Sequence, residues 1–243
     1  ITFPDNSVQA TAPRVGMVNR AINGDMRIDQ RTAGASVTPA DGAYTIDRWQ
    51  AALSQASKFS VQQSTVAPSG FTNSMLVTSL AATSLGAGDI FGVTQKIEGL
   101  NFSDMAWGTA SAQTVTISFW TRSSLTGTFG GAFTNSANNR SYPFTYTISV
   151  ANTWERKTVA VAGDTTGTWL TTNGVGVRVW FGLGMGSTYS GSAGAWAGAT
   201  YFGATGAVSV VGTSGATFYV TGVQLQKGST ATSFEYVDYG RQL

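Results

Sequence analysis

Short runs in which apolar and polar residues alternate recur along almost the whole chain, and no stretch holds a helical period for long. Such runs occupy 58–63, 74–80, 90–97, 113–123, 142–150, 158–162 and 175–183, and a last one begins at Thr217. Between them stand turns rich in Gly, Asn and Ser. Even spacing of this kind predicts an all-β protein, a jelly-roll β-sandwich, with at most one helical turn at 100–105. Composition agrees: glycine accounts for 30 of 243 residues and charged residues for only 11%, a mixture that favours short strands and many turns.

The closing segment 217–236, TFYVTGVQLQKGSTATSFEY, organises the rest. Phe218 and Val220 share one side of an extended chain, whereas Val223 and Leu225 share the other, so the apolar parity switches at Thr221-Gly222. A strand carrying a bulge at Gly222 has this pattern, and so does a strand buried on both faces. After a turn at Lys227-Gly228-Ser229, Phe234 and Tyr236 alternate with polar neighbours as if covering an end of the core. Near the other terminus, Asn23-Gly24 forms a turn before a short strand with Met26 and Ile28 on one side, and 44–49 repeats the pattern. Local ion pairing is the simplest role for Asp25, Arg27, Asp29, Arg31, Asp47 and Arg48.

Several function classes are disfavoured at this stage. The chain has no cysteine and no histidine, which removes disulfides, thiolate and common zinc sites, and the Ser-His-Asp triad. Twelve scattered carboxylates show no facing pair for glycoside hydrolysis, so the chain is expected not to be an enzyme and to use no cofactor and no metal. A net charge of +2 with dispersed basic residues argues against a nucleic-acid partner. No run of apolar residues is long enough to insert in a membrane, and no signal peptide is visible.

Two strands carry candidate binding residues. In 113–123, Val115, Ile117 and Phe119 share a face and leave Trp120 and Arg122 on the other; in 175–183, Arg178 and Trp180 likewise point away from Val177, Val179, Phe181 and Leu183. If both strands lie in one sheet, Trp120, Arg122, Arg178 and Trp180 form an aromatic and cationic patch able to stack on sugar rings and hold hydroxyl or acidic groups. A covering loop or a neighbouring subunit would bury the same residues. The Gly, Ala and Ser-rich stretch 184–215 adds Tyr189, Trp196 and Tyr201, either as a second binding patch or as anchors of a flap. Trp49, Trp107, Trp154 and Trp169 sit beside turns and are expected as core or strand-end plugs.

Residues 1–12, ITFPDNSVQATA, resemble a short segment of trimeric tail-fibre shafts in tailed bacteriophages. INGDMRIDQR, YTIDRW, IEGLNF, ISFWTRSS, GTFGGAF, NRSYPFTYTI, TWERKTVAVAGDTTGTW, GSTYSGSAGAWAG and FYVTGVQLQKGSTATSFEY together resemble a family of phage fibre-associated β-sandwich domains. The likeness extends more distantly to carbohydrate-binding-module jelly rolls, whose NGDF-like start is matched by 23–26. Those modules hold a structural calcium ion with an Asp-Asp pair, matched here by Thr221 and Gly222. That departure implies no calcium site, or a weak one using backbone carbonyls and Asp25.

The resemblance implies a stalk or linker at 1–15 and one sandwich domain over 16–243, assembled as a homotrimer in a virion tail fibre or other surface appendage. It further implies that the chain is part of a longer fibre protein. Its partners would be other virion proteins and, on the host surface, polysaccharide or lipopolysaccharide; the function is host attachment without catalysis. The alternative is a purely structural capsid fibre, decoration or connector protein of the virion. A binding module of a secreted bacterial hydrolase is a further rival, disfavoured by the stalk-like start.

Overall fold

A computed structural model describes residues 17–242; the stalk expected at 1–15 lies outside them. Thirteen strands are present among the described residues: β1 (Tyr44–Ile46), β2 (Trp49–Leu53), β3 (Phe59–Ser64), β4 (Ser74–Ser79), β5 (Ile90–Glu98), β6 (Val115–Ser123) and β7 (Gly127–Thr134), followed by β8 (Ser141–Ile148), β9 (Glu155–Val161), β10 (Val175–Met185), β11 (Ser190–Gly191), β12 (Gly203–Ala204) and β13 (Thr217–Lys227). They form a six-stranded sheet, β1-β2-β5-β10-β7-β8, a five-stranded sheet, β3-β4-β13-β6-β9, and a small parallel pair, β11-β12. Neighbours within the two large sheets run antiparallel. From β4 onward, apart from the β7-β8 hairpin, the chain passes back and forth between the large sheets, the jelly-roll arrangement that the strand spacing predicts.

Alternation explains the core. Val115, Ile117 and Phe119 of β6 face Val177, Val179, Phe181 and Leu183 of β10, all fully or almost fully buried. Phe119 and Phe181 meet edge to face at 5.0 Å, and Phe218 closes the layer against Phe129 and Phe181. Burying each such ring stabilises the fold by about 1.5–3 kcal/mol.

β13 carries the expected bulge. Its register against β6 shifts between Thr221 and Gln224, and Gly222 adopts φ +60°, a conformation costly for residues with a Cβ. Phe218 and Val220 before the bulge and Val223 and Leu225 after it therefore all enter the same core.

The strand predicted around Met26 and Ile28 is instead a closed loop, in which Asn23 and Met26 have positive φ. The Asn23 carboxamide takes the place of strand pairing: its Oδ1 accepts from Ile28 N–H, and its Nδ2 donates to the carbonyls of Ile28 and Asp47. Gly24 lies against the bulge, its carbonyl accepting from Val223 N–H at 2.9 Å. The segment 100–105 forms two 3₁₀ turns, Gly99–Asn101 and Ser103–Met105.

β7 was not expected, because GTFGGAFT has the composition of a turn. Its glycines answer to packing: a Cβ on Gly131 would lie 2.3 Å from the Trp180 carbonyl oxygen and 2.5 Å from Phe144 Cζ. The incoming and outgoing ends of the sandwich are clasped together. Asn19 N–H donates to Glu235 Oε2 at 2.6 Å, and Arg27 pairs with Asp25 while donating to the Val237 carbonyl at 2.7 Å.

Candidate functional site

The bulge that aligns the core also builds a site on the outer face of the five-stranded sheet. Beyond Gly222, Gln224 and Gln226 point away from the core and hold the returning segment 228–236. Gln226 Oε1 accepts from Thr232 N–H and Oγ1–H, while Gln224 Oε1 accepts from Glu235 N–H. That segment is thereby fixed with Phe234 and Tyr236 standing over the sheet. They pack with Phe71 as three mutually contacting rings, 5.0–5.7 Å between centroids. The Tyr236 hydroxyl donates to the Gly70 carbonyl at 2.7 Å. Phe234 and Tyr236 thus wall a cavity on the sheet rather than covering an end of the core.

The cavity has a volume of about 450 Å³. Its floor is Ser118, Trp120 and Gly222, and its walls are Phe71, Phe234, Tyr236, Arg156 and the hydroxyl-bearing pair Thr232 and Ser233. Trp120 of β6 pairs with Arg156 of β9, and the Arg156 guanidinium donates to the Thr232 carbonyl at 2.7 Å.

One register step along, Arg122 lies over the Tyr219 ring at 5.2 Å, and Trp154 meets the same ring edge-on at 5.9 Å. Arg122 has no ion-pair partner among the described residues, and its buried Nε has no acceptor there. The face therefore combines half-buried aromatic surface with donors not fully used by the fold. Trp154, expected as a plug, belongs to it.

The two candidate strands lie in different sheets, so Trp120 and Arg122 are separated from Arg178 and Trp180 by the core. The single four-residue patch is not formed. Trp180 is only 5% exposed: its ring stacks on Phe202, and its Nε1–H donates to Thr134 Oγ1 at 3.1 Å. Arg178 donates to Asn138 Oδ1 at 2.7 Å and to the Ser136 carbonyl.

The stretch 184–215 lies across that side as a flap, ordered by the β11-β12 pair, and the three aromatics named from the sequence pack inward at separate points. Tyr189 stacks on Phe202. Trp196 meets Trp107, Trp169 and Tyr142 edge-on and donates to the Ala162 carbonyl. Tyr201 packs on Gly191, where a Cβ would come within 2.3 Å of its ring. These contacts account for the order of a Gly-rich segment.

Phe71, Arg156 and Tyr219 were not picked out from sequence, and Phe234 and Tyr236 were expected to cover an end of the core rather than to wall a site. The period-two pattern identifies the outward side of β6 but not which strand lies beside it, so the Trp120-Arg156 pair was invisible.

Every carboxylate among the described residues accepts a hydrogen bond from this chain. Burial pushes Asp164 up, but hydrogen bonds from Arg140, Thr166 and Trp169 outweigh it and hold the carboxyl below its usual range. Glu98 and Glu155 show the same balance through Arg48 and Lys157. Asp89 is held down by Gln55, Gly86 and Ser54.

The donors near 23–26 do not suit calcium. The Asn23 carboxamide is used within its loop, Arg27 occupies the Asp25 carboxylate and leaves only Oδ1 without a partner, and Thr221 Oγ1 donates to the Asn73 carbonyl. No group of three or more His, Cys, Asp or Glu converges among the described residues, whereas calcium takes six to eight oxygens.

The fold and this face define a jelly-roll β-sandwich with an aromatic outer cavity. No family model matches the sequence, and none of the curated proteins matches it. Solved structures do share the fold. A predicted sugar-binding protein from Bacteroides thetaiotaomicron has 9% identity and a TM-score of 0.50, with 86% of this chain and 100% of that one covered. The enzymatically active domain of tailspike protein 4 of bacteriophage CBA120 has 12% identity and a TM-score of 0.46; the match covers 86% of this chain and 21% of that one, so the chain spans about a fifth of that structure. A family 11 carbohydrate-binding module from Clostridium thermocellum has 13% identity and a TM-score of 0.39, with 84% and 99% covered. At such identities the likeness is one of fold.

Proposed function

We propose that the chain is a non-catalytic glycan-binding domain of a bacteriophage fibre, and that the cavity over Trp120 receives a host-surface saccharide. The observation that carries this is the cavity itself, with three aromatic walls over a Trp floor and hydroxyl and guanidinium groups at its rim. Apolar rings suit the flat CH faces of sugars, and a few placed polar groups orient the hydroxyls. The fold shared with the predicted sugar-binding protein is consistent with it. The fibre role comes from the sequence resemblance, and with it the homotrimer and the virion partners. Several weak sites on one trimer would act together through avidity.

Binding of the labelled protein to host cells, competed by their extracted surface polysaccharide, tests the proposal. Trp120→Ala and Phe234→Ala should each weaken binding at least tenfold, about 1.4 kcal/mol, with the fold retained. Full binding by the folded double variant would overturn it.

The structural alternative, a capsid fibre, decoration or connector protein, is favoured by one observation. Tyr236 and Tyr239 are 57% and 48% exposed, and a neighbouring subunit could cover them. A well-folded oligomer that binds no host surface would support that alternative.

A further inference from the structure

On the outer face of the six-stranded sheet, away from the aromatic cavity, Lys96 of β5 and Arg178 of β10 stand directly opposite each other across an antiparallel pair. Like charges in that position repel and weaken a sheet. Neither forms an ion pair among the described residues, and Lys96 makes no hydrogen bond there, while Arg178 leaves its buried Nε without an acceptor. Burial pushes the Lys96 ammonium down first, and the Arg178 charge adds to it, with Asp41 opposing.

Lys96 opens into a groove of about 160 Å³ whose other walls are Tyr44, Arg48, Glu98, Asn173 and Val175. Arg48 pairs with Glu98 at the rim, both more than a third exposed. Arg31 lies over the Tyr44 ring at 5.7 Å and brings a further positive charge. Arg48 holds φ +72° in the tight turn between β1 and β2, where Gly or Asn would be less strained. A strained backbone that keeps a long cationic side chain, beside a lysine that faces a second cation and makes no ion pair among the described residues, is the pattern of a site awaiting an anion.

We infer that Arg48 and Lys96, which line this groove, form an oxyanion site that takes the carboxylate or phosphate of one acidic saccharide unit. Lys96 and Arg48 flank the anion, and Arg178, whose guanidinium is held by Asn138 and Ser136, adds positive potential from the neighbouring strand. The groove is small for an extended ligand, so it receives a single charged unit or side branch. The saccharide part rests on the glycan-binding proposal; the anion part stands on the charge arrangement alone.

The test uses the intact protein with D-glucuronate, glucose 6-phosphate, inorganic phosphate and neutral glucose as probes, read by thermal shift and saturation-transfer NMR. Glucuronate or glucose 6-phosphate should bind and raise the melting temperature, the effect should fade with added salt, and glucose should do neither. Which of the two acidic sugars binds better distinguishes a carboxylate source from a phosphate source.

Lys96→Met should lose at least tenfold in affinity with a melting temperature equal to or above wild type, since it removes the repulsion. Val150→Ala, at an exposed position that lines neither the groove nor the aromatic cavity, should bind both acidic sugars as wild type does. Equal binding by Lys96→Met and wild type would overturn the inference, and so would the absence of any shift with both acidic sugars. Inorganic phosphate binding as tightly as glucose 6-phosphate would overturn the saccharide part. Loss of host-polysaccharide binding in Lys96→Met but not in Trp120→Ala would support this site and reject the cavity.

Discussion

Trp180 and Phe202 stack with ring centroids 4.3 Å apart and planes inclined by 28°, joining a central sheet strand to the flap. Tyr189 stacks in turn on Phe202 at 5.4 Å. Phe202→Ala removes the middle of this stack and should cost about 3 kcal/mol. The check is the denaturation midpoint together with acrylamide quenching, which should reach one more tryptophan than in wild type.

Gly222→Ala should damage stability and binding at once. The new Cβ would sit 2.7 Å from the Phe71 ring and 3.2 Å from Trp120, at φ +60°. Backbone strain alone costs about 1–2 kcal/mol, and displacement of Phe71 deforms the cavity. Thermal melting and polysaccharide binding by the same variant would show both losses.

Acid should destabilise the protein mainly below about pH 4. Asp89, Glu98, Glu155 and Asp164 are held below their usual range in the folded state. Their contribution is therefore present above the unfolded pKa of about 3.9–4.3 and is lost as pH falls through the lower folded values. Asp164→Asn should cost about 3 kcal/mol at pH 7, because it strips Arg140 of its counter-charge. Melting temperatures of wild type and variant should converge as the pH is lowered; parallel curves would contradict the assignment.

Calcium should leave stability unchanged. With Arg27 on Asp25 and no convergent carboxylates among the described residues, neither EDTA nor millimolar calcium should move the melting temperature. An ion at a hundred times its dissociation constant would add about 2.7 kcal/mol, an effect that differential scanning fluorimetry would register.

The core was legible where local pattern decides it. Val115, Ile117 and Phe119 alternate with Thr116 and Ser118, and the switch at Gly222 could be read because a residue tolerant of positive φ stands where the apolar parity changes. Met26 and Ile28 also alternate, yet they lie in a loop because the Asn23 carboxamide offers their backbone a competing set of hydrogen bonds. β7 was hidden because its glycines are chosen by Phe144 and the Trp180 backbone, far away in sequence.

For the candidate site, the outward direction of Trp120, Arg122, Arg178 and Trp180 was readable. Their assignment to sheets was not, since strand order depends on long-range pairing. What lies over each residue was equally hidden: the flap over Trp180 and the Phe234 wall beside Trp120 are set by tertiary packing alone.

The clasp between Asn19 and Glu235, with Arg27 reaching Val237, brings both ends of the sandwich to one edge. Tension applied between those ends would load a few hydrogen bonds one after another, as in opening a zipper, before it reached β6 or β10. A shear force on a ligand held over Trp120 would arrive through the broad face of a sheet. The fold should thus yield first along its own chain and last across the face that carries Trp120.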